Sequence, residues 1–168
     1  LEHIISLGVE KVAISSAALE KPEFITEIAR RAGSQSIVVV LDVKKTGLIH
    51  KRYEIFTHNG RRPTGISPVD FACRIEAAGA GEILINSIDQ DGTLMGYDMT
   101  LIDQVHAAIN IPLTILGGAG SLMDIQKLVK KYSLIGAAAG SLFVFKGKYR
   151  AVLINYPNHA EREALIMK

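Results

Sequence analysis

The chain has one cysteine, Cys73, no tryptophan and only five prolines. A single cysteine excludes an intrachain disulfide and any cysteine-based metal site, and fits a reducing, cytoplasmic setting. Its place on the apolar side of a helical pattern reads as a small core residue. Charge of one sign is also missing: 19 basic and 17 acidic residues leave a net +2. The basic residues are scattered apart from Lys44-Lys45, Lys51-Arg52, Arg61-Arg62 and the stretch Lys146 to Arg150, which reads as solvated turns rather than a nucleic-acid track. No apolar run reaches the roughly 18 to 20 residues of a membrane span and no signal peptide is visible, so neither membrane nor nucleic acid is an expected partner. The five histidines, His3, His50, His58, His106 and His159, show no HxH or HExxH spacing and read as surface residues. Neither a metal nor a cofactor is expected.

What is present is 48% hydrophobic sequence spread over 168 residues, enough for one sizeable core and too little for two, so residues 1–168 are read as one domain. The run Glu82 to Asp98, EILINSIDQDGTLMGYD, says most. Its first six residues form a short, apolar, β-branched strand that stops at Asp89, Asp91, Gly92 and Thr93. Carboxylates, a permissive backbone and a hydroxyl thus collect at the carboxyl end of a strand, where parallel α/β folds place their chemistry. LTILGGAG (Leu113 to Gly120) and LIGAAAGSLF (Leu134 to Phe143) repeat the pattern, and three such tips suggest a phosphate cradle shared between adjacent loops.

The rhythm along the chain is that of βα units and a parallel sheet. Strands are expected near Lys11 to Ser15, Ser36 to Val43, Glu82 to Asn86, Pro112 to Leu116 and Leu134 to Ala138. Helices are expected near Pro22 to Ala32, Pro68 to Ala78, Met99 to Ala108, Leu122 to Lys131 and Gly147 to Ile154, with Gly33 and Gly79 just past two of the closes. The segment Thr46 to Gly65 breaks the alternation: His50 to Thr57 with the turn His58-Asn59-Gly60 reads as an inserted β-hairpin, of the kind that shapes a substrate pocket. LEHIISLGVEK reads as the end of an amphipathic helix running through Gly8 into the first strand, so the chain starts within a unit. A (β/α)8 barrel takes about 250 residues. The fold expected is therefore α/β, five of the eight units of a TIM barrel (strands 4 to 8), N-terminally truncated; a complete open five-stranded α/β domain is the alternative.

SSAALEKP after the first strand, VVLDVK at the second, NSIDQDGT with GYD at the third, GGAG at the fourth and AAAGSLF at the fifth resemble, in that order, the cyclase subunit of imidazole glycerol phosphate synthase, the HisF type. The similarity runs from Gly8 to about Phe145. The sister isomerase of histidine biosynthesis shares DGT and GG motifs, but SIDQDGT followed by GYD, and the hairpin, favour the cyclase. FKGKYRAVLINYP near the end is more similar to cyclase-like paralogues of surface-polysaccharide gene clusters (WbuZ type), which serve sugar amidation.

The resemblance implies a lyase of histidine biosynthesis. Such an enzyme takes ammonia from a partner glutamine amidotransferase (HisH-like) and converts a bisphosphorylated ribulosyl imidazole-carboxamide precursor to imidazole glycerol phosphate and AICAR. Of its two acid-base aspartates, Asp42 matches the second, and a carboxylate ending an apolar strand faces the partly desolvated pocket that acid catalysis uses; an Asp pairing with Lys44 is the plainer reading. The first-strand aspartate has no counterpart, so this chain alone is expected to be inactive. By the same resemblance Asp91 contacts substrate, and Gly92, Thr93, Gly117, Gly118, Gly140 and Ser141 hold one phosphate. Ser15 and Ser16 meet the other. Turn formation and tight packing are the alternative readings of these loops. Asn86, Leu116 and Ser15 depart from the family's usual threonine, small hydroxyl residue and asparagine, which leaves the sugar branch and an inactive phosphate-binding module open. Lys11 and Glu82 match two of the four charged residues of the ammonia gate, or form a plain surface ion pair. Unpaired edges of the first and last strands predict self-association.

Overall fold

In a computed structural model that describes residues 8–132 and 134–166, the elements follow one another as β1 (Val12–Ile14), α1 (Ser16–Glu20), α2 (Glu23–Ala32), β2 (Ile37–Thr46), β3 (Arg52–Thr57), β4 (Arg62–Pro63), α3 (Pro68–Ala78), β5 (Glu82–Ser87), α4 (Met99–His106), β6 (Leu113–Leu116), α5 (Leu122–Tyr132), β7 (Gly136–Ala137), α6 (Ser141–Val144), β8 (Phe145–Lys146), β9 (Ala151–Val152) and α7 (His159–Ile166). β2 organises the sheet. Its first half pairs with β1 (Val12 opposite Ile37), in parallel, and its second half takes β3 on the same edge, antiparallel, with Phe56 opposite Asp42. The other edge carries β5, then β6, then β7, all parallel. This mixed α/β sheet of seven strands is a partial (β/α)8 barrel.

Side chains alternate across the strands, and burial follows. Leu41, Val43, Ile83, Ile85 and Ile115, each at most 1% exposed, point to the helices. There they meet Ile25 and Ile28 of α2, Phe71 and Ile75 of α3, Leu101 and Val105 of α4 and Leu128 of α5. Each such side chain contributes about 1.5–3 kcal/mol. Val40, Asp42, Leu84, Asn86, Thr114 and Leu116 take the opposite face and are half-buried.

α3 illustrates how local sequence sets an element. Ser67 Oγ accepts from Asp70 N (3.4 Å), Pro68 opens the first turn, and Gly79 closes the helix at φ +103°. Gly79 N donates to Glu76 O and Ala80 N to Ile75 O, a Schellman closure. The expected turn His58-Asn59-Gly60 is present, all three at positive φ (54°, 57° and 74°).

Three expectations change. β2 continues past Val43 to Thr46, because the inserted strand β3 gives its tail a partner. Cys73 is exposed, not core: the buried stripe of α3 runs through Phe71, Ala72 and Ile75 and turns it outward, where its thiol donates to the Ala108 carbonyl (3.4 Å). The helix expected over Gly147 to Ile154 is a hairpin. Gly147 (φ +73°) and Arg150 (φ +49°) make its turn, Arg150 N donates to Gly147 O (3.0 Å), and Phe145 pairs with Val152. The final helix lies beyond it as α7, opened by a reciprocal cap between Asn158 and Glu161 (Glu161 N to Asn158 Oδ1, 2.9 Å; Asn158 N to Glu161 Oε2, 2.8 Å). α7 docks on α5, Gln126 Nε2 donating to Ala164 O (3.0 Å). The helix expected before Gly8 falls on residues 1–7, outside the described residues.

Candidate functional site

Because β1, β2, β5, β6 and β7 are parallel, their carboxyl ends open on one side of the sheet. Near that side lie Asp42, late in β2, and Asn86, late in β5. The two residues are register partners, and Asn86 Nδ2 donates to Asp42 Oδ1 at 2.9 Å. Asp42 does not end its strand; it faces the inner side of the sheet four residues before β2 stops.

The loop after β5 folds back on itself. Gln90 N and Asp91 N both donate to Ser87 O (3.1 and 2.9 Å), Gly92 turns at φ +71°, and the Thr93 hydroxyl donates to Gln90 O (2.8 Å). The hydroxyl expected to meet an anion is thus engaged in its own turn, and the Asp91 side chain is exposed. A Cβ on Gly92 would stand 3.9 Å from Ser141 Oγ, so the β5 and β7 tips are neighbours. The β6 tip is held between them. Gly118, at φ +109°, accepts from Gly96 N (2.8 Å), and any side chain there would collide with the Gly96 carbonyl. Tyr97 ties the same loop across, its hydroxyl donating to Ala138 O (3.0 Å); burial, with the Asp124 carboxylate nearby, pushes its phenol up to about 12. Gly92, Gly117, Gly118, Gly140 and Ser141 therefore do gather at adjacent tips. At the opening of α5, the Asp124 carboxylate already accepts from Gly120 N and Ser121 N (3.1 and 2.9 Å), which leaves those amides no call for an outside anion. Ser15 and Ser16 stand at the β1 tip, on the far side of β2 and β5 from the glycine cluster.

Lys11 and Glu82 are at the opposite end of the sheet and do meet, Lys11 Nζ lying 2.5 Å from Glu82 Oε2, with the Thr114 hydroxyl donating to Oε1 (2.7 Å). Burial of Glu82 opposes its ionisation, but these two donors outweigh it and hold its carboxyl below the usual range.

A second polar centre escaped the sequence reading. Asp98 is 8% exposed, accepts from Tyr53 OH (2.9 Å) and Leu101 N (3.2 Å) on Oδ1, and pairs with Lys45 Nζ (2.8 Å) on Oδ2. Lys45 N also donates to Asp89 Oδ2 (2.7 Å). The legible signal was Asp98 as the residue before a helix; its long-range partners on β2 and β3 had none. This knot anchors the hairpin to α4. Beside it a cleft of about 560 Å³ opens between Lys45, Lys51, Tyr53, Glu54, Ser67 and Gln104, so the hairpin does shape a cavity, though none of the expected site residues lines it.

Known proteins are similar to this chain. The model of the family described as histidine biosynthesis protein matches residues 1–150. A protein of Leptospira interrogans named "Putative imidazole glycerol phosphate synthase subunit HisF" is 51% identical over 163 residues, covering 97% of this chain and 64% of its own length. One of Vibrio vulnificus strain YJ016, "Putative imidazole glycerol phosphate synthase subunit hisF3", is 52% identical over 162 residues, covering 96% and 62%. The "Imidazole glycerol phosphate synthase subunit HisF" of Alkaliphilus metalliredigens is 42% identical over 143 residues, covering 85% and 56%. The chain spans less than two thirds of the length of each of these relatives. On the extent of the family match and the level of identity, this chain belongs to the histidine biosynthesis protein family and is HisF-like.

Proposed function

We propose that the chain forms the part of a HisF-type cyclase that carries one proton-transfer aspartate and both phosphate-facing tips. The substrate is an elongated, bisphosphorylated ribulosyl imidazole-carboxamide precursor, cleaved with ammonia to imidazole glycerol phosphate and AICAR. One observation carries the reading. Asp42, with Asn86, lies between two sets of strand tips, Ser15-Ser16 on one flank and Gly92, Gly117, Gly118, Gly140 and Ser141 on the other. A ligand with a phosphate at each end would lay its middle across Asp42. The glycines let backbone amides approach the anion closely, and Asp42 acts as general acid towards the reacting carbon framework. Asp91, exposed at the rim, reaches the substrate from outside. Lys11 and Glu82 mark the entry for ammonia on the far face, where a glutamine amidotransferase subunit docks; the relatives' printed names, each a synthase subunit, support a partner.

The test is ammonia-dependent turnover of the bisphosphorylated precursor by the full-length gene product. Formation of imidazole glycerol phosphate supports the histidine assignment. No turnover, with phosphate still protecting the amides of Gly92 and Gly118 from exchange, favours the second reading: a HisF-like partner in sugar amidation. That reading is motivated by Leu116, which cannot donate to a phosphate, and by the FKGKYRAVLINYP hairpin. Protection in a protein that turns over neither substrate leaves an inactive phosphate-binding module.

A further inference from the structure

Asp42 and Asn86 sit directly opposite each other on the β2–β5 ladder, so their side chains leave the same face side by side. Asn86 Nδ2 donates to Asp42 Oδ1 at 2.9 Å. The other end of the amide is stranded. Asn86 Oδ1 is buried without a hydrogen-bond partner, the one such side-chain atom among the described residues. Its neighbours explain why. Leu116, opposite Asn86 in β6, has no donor. Gly117 brings bare backbone so close that a Cβ there would stand 3.3 Å from Asn86 Oδ1 and 2.6 Å from the Ser87 carbonyl oxygen. That side of the amide therefore offers Oδ1 no donor. The Asp42 carboxylate holds Nδ2 on the other side. The amide is satisfied at one end only, and a buried acceptor without a donor is unfavourable.

A proton on Asp42 supplies the missing donor. We propose that the Asn86 amide is a proton-coupled positioning device for Asp42: it presents Nδ2 to the carboxylate and turns over when Asp42 is protonated, so that the Asp42 O–H donates to Oδ1. The inference rests on the reading of Asp42 as proton donor. When Asp42 gives its proton to the substrate, the new carboxylate is met by Nδ2; when it takes a proton back, the carbonyl receives the O–H. Each change needs a single side-chain rotation and no backbone movement, and Asn86 acts only through Asp42.

The test uses the full-length protein with asparagine side chains labelled with 15N. Across a pH titration, the Asn86 NH2 signals are expected to move in one step whose midpoint matches that of the Asp42 carboxyl carbon, and the step disappears in Asp42→Asn. Signals that stay flat while Asp42 titrates overturn the proposal. In the cyclase assay, Asn86→Leu is expected to lower kcat about tenfold with little change in KM and to displace the pH–rate profile. Asn86→Thr, whose hydroxyl both donates and accepts by rotation, recovers most of the loss. Equal losses in both variants with an unmoved profile would make Asn86 merely structural. If the full-length protein turns over no precursor, the functional reading fails, while the wild-type titration still decides the amide's behaviour.

Discussion

At Asp98 one carboxylate joins three parts of the chain: β2 through Lys45, β3 through Tyr53 and the first turn of α4 through Leu101. Burial opposes its ionisation, but the bonds from Lys45, Tyr53 and the Leu101 amide prevail and hold its carboxyl below the ordinary range. A folded-state value below the unfolded one means that the unfolded chain takes up the proton first. The stability Asp98 supplies is therefore complete above about pH 4, the unfolded carboxylate range, and is lost as pH falls through the folded value. Asp98→Ala should cost about 2–4 kcal/mol in denaturant unfolding at neutral pH, by loss of a helix cap and of the acceptor for a half-exposed lysine and a tyrosine. Asp98→Asn should flatten the stability curve in the acid window only. At the proposed reaction centre, Asp42→Asn in the full-length protein should lower cyclase turnover by about 10²–10⁴ with the fold intact by circular dichroism. Retained turnover would remove Asp42 from the chemistry.

Elements show what pattern alone could reveal. α3 announced itself by Ser67-Pro68 at its start and Gly79 at its end, and β5 by a short, apolar, β-branched run from Glu82 to Ser87. The signals are local, so they were legible. Gly79 does two things at once: it adopts φ +103°, and a Cβ on it would lie 2.9 Å from that of Ala29 in α2. Gly79→Ala is therefore expected to destabilise by about 1–3 kcal/mol, read as a lowered denaturation midpoint with an unchanged m-value. The stretch after Phe145 misled for the opposite reason. Its apolar and basic residues scan as an amphipathic helix, whereas the backbone spends Gly147 and Arg150 on a turn and pairs Phe145 with Val152. The Asn158-x-x-Glu161 cap was the overlooked local cue for the helix beyond it. Asn158→Ala should fray α7 and cost about 0.5–2 kcal/mol, seen as faster amide exchange over residues 159–166.

Across the whole molecule, β1 and β7 each pair on one edge only among the described residues, and the inner face between them is half-buried rather than closed. Open sheet edges template further pairing. The chain as sequenced is expected to self-associate, with a sedimentation coefficient that rises with concentration; a monodisperse, cooperatively unfolding monomer would contradict this. Among the described residues no helix is long and apolar enough to cross a membrane. The amino-acid sequence by itself determined the βα order, most of the helix ends and the family, because strand period, capping residues and glycine tips are encoded within a few neighbouring positions. Only the tertiary structure decided that Cys73 faces out, that β3 extends the sheet beside Asp42, that Asp98 meets Lys45 and Tyr53, and that Asn86 grips Asp42 with one end of its amide while the other goes without a donor. Those contacts join residues up to 53 positions apart, and which side chains meet across such a distance depends on sheet register and helix packing, which no short stretch of sequence contains.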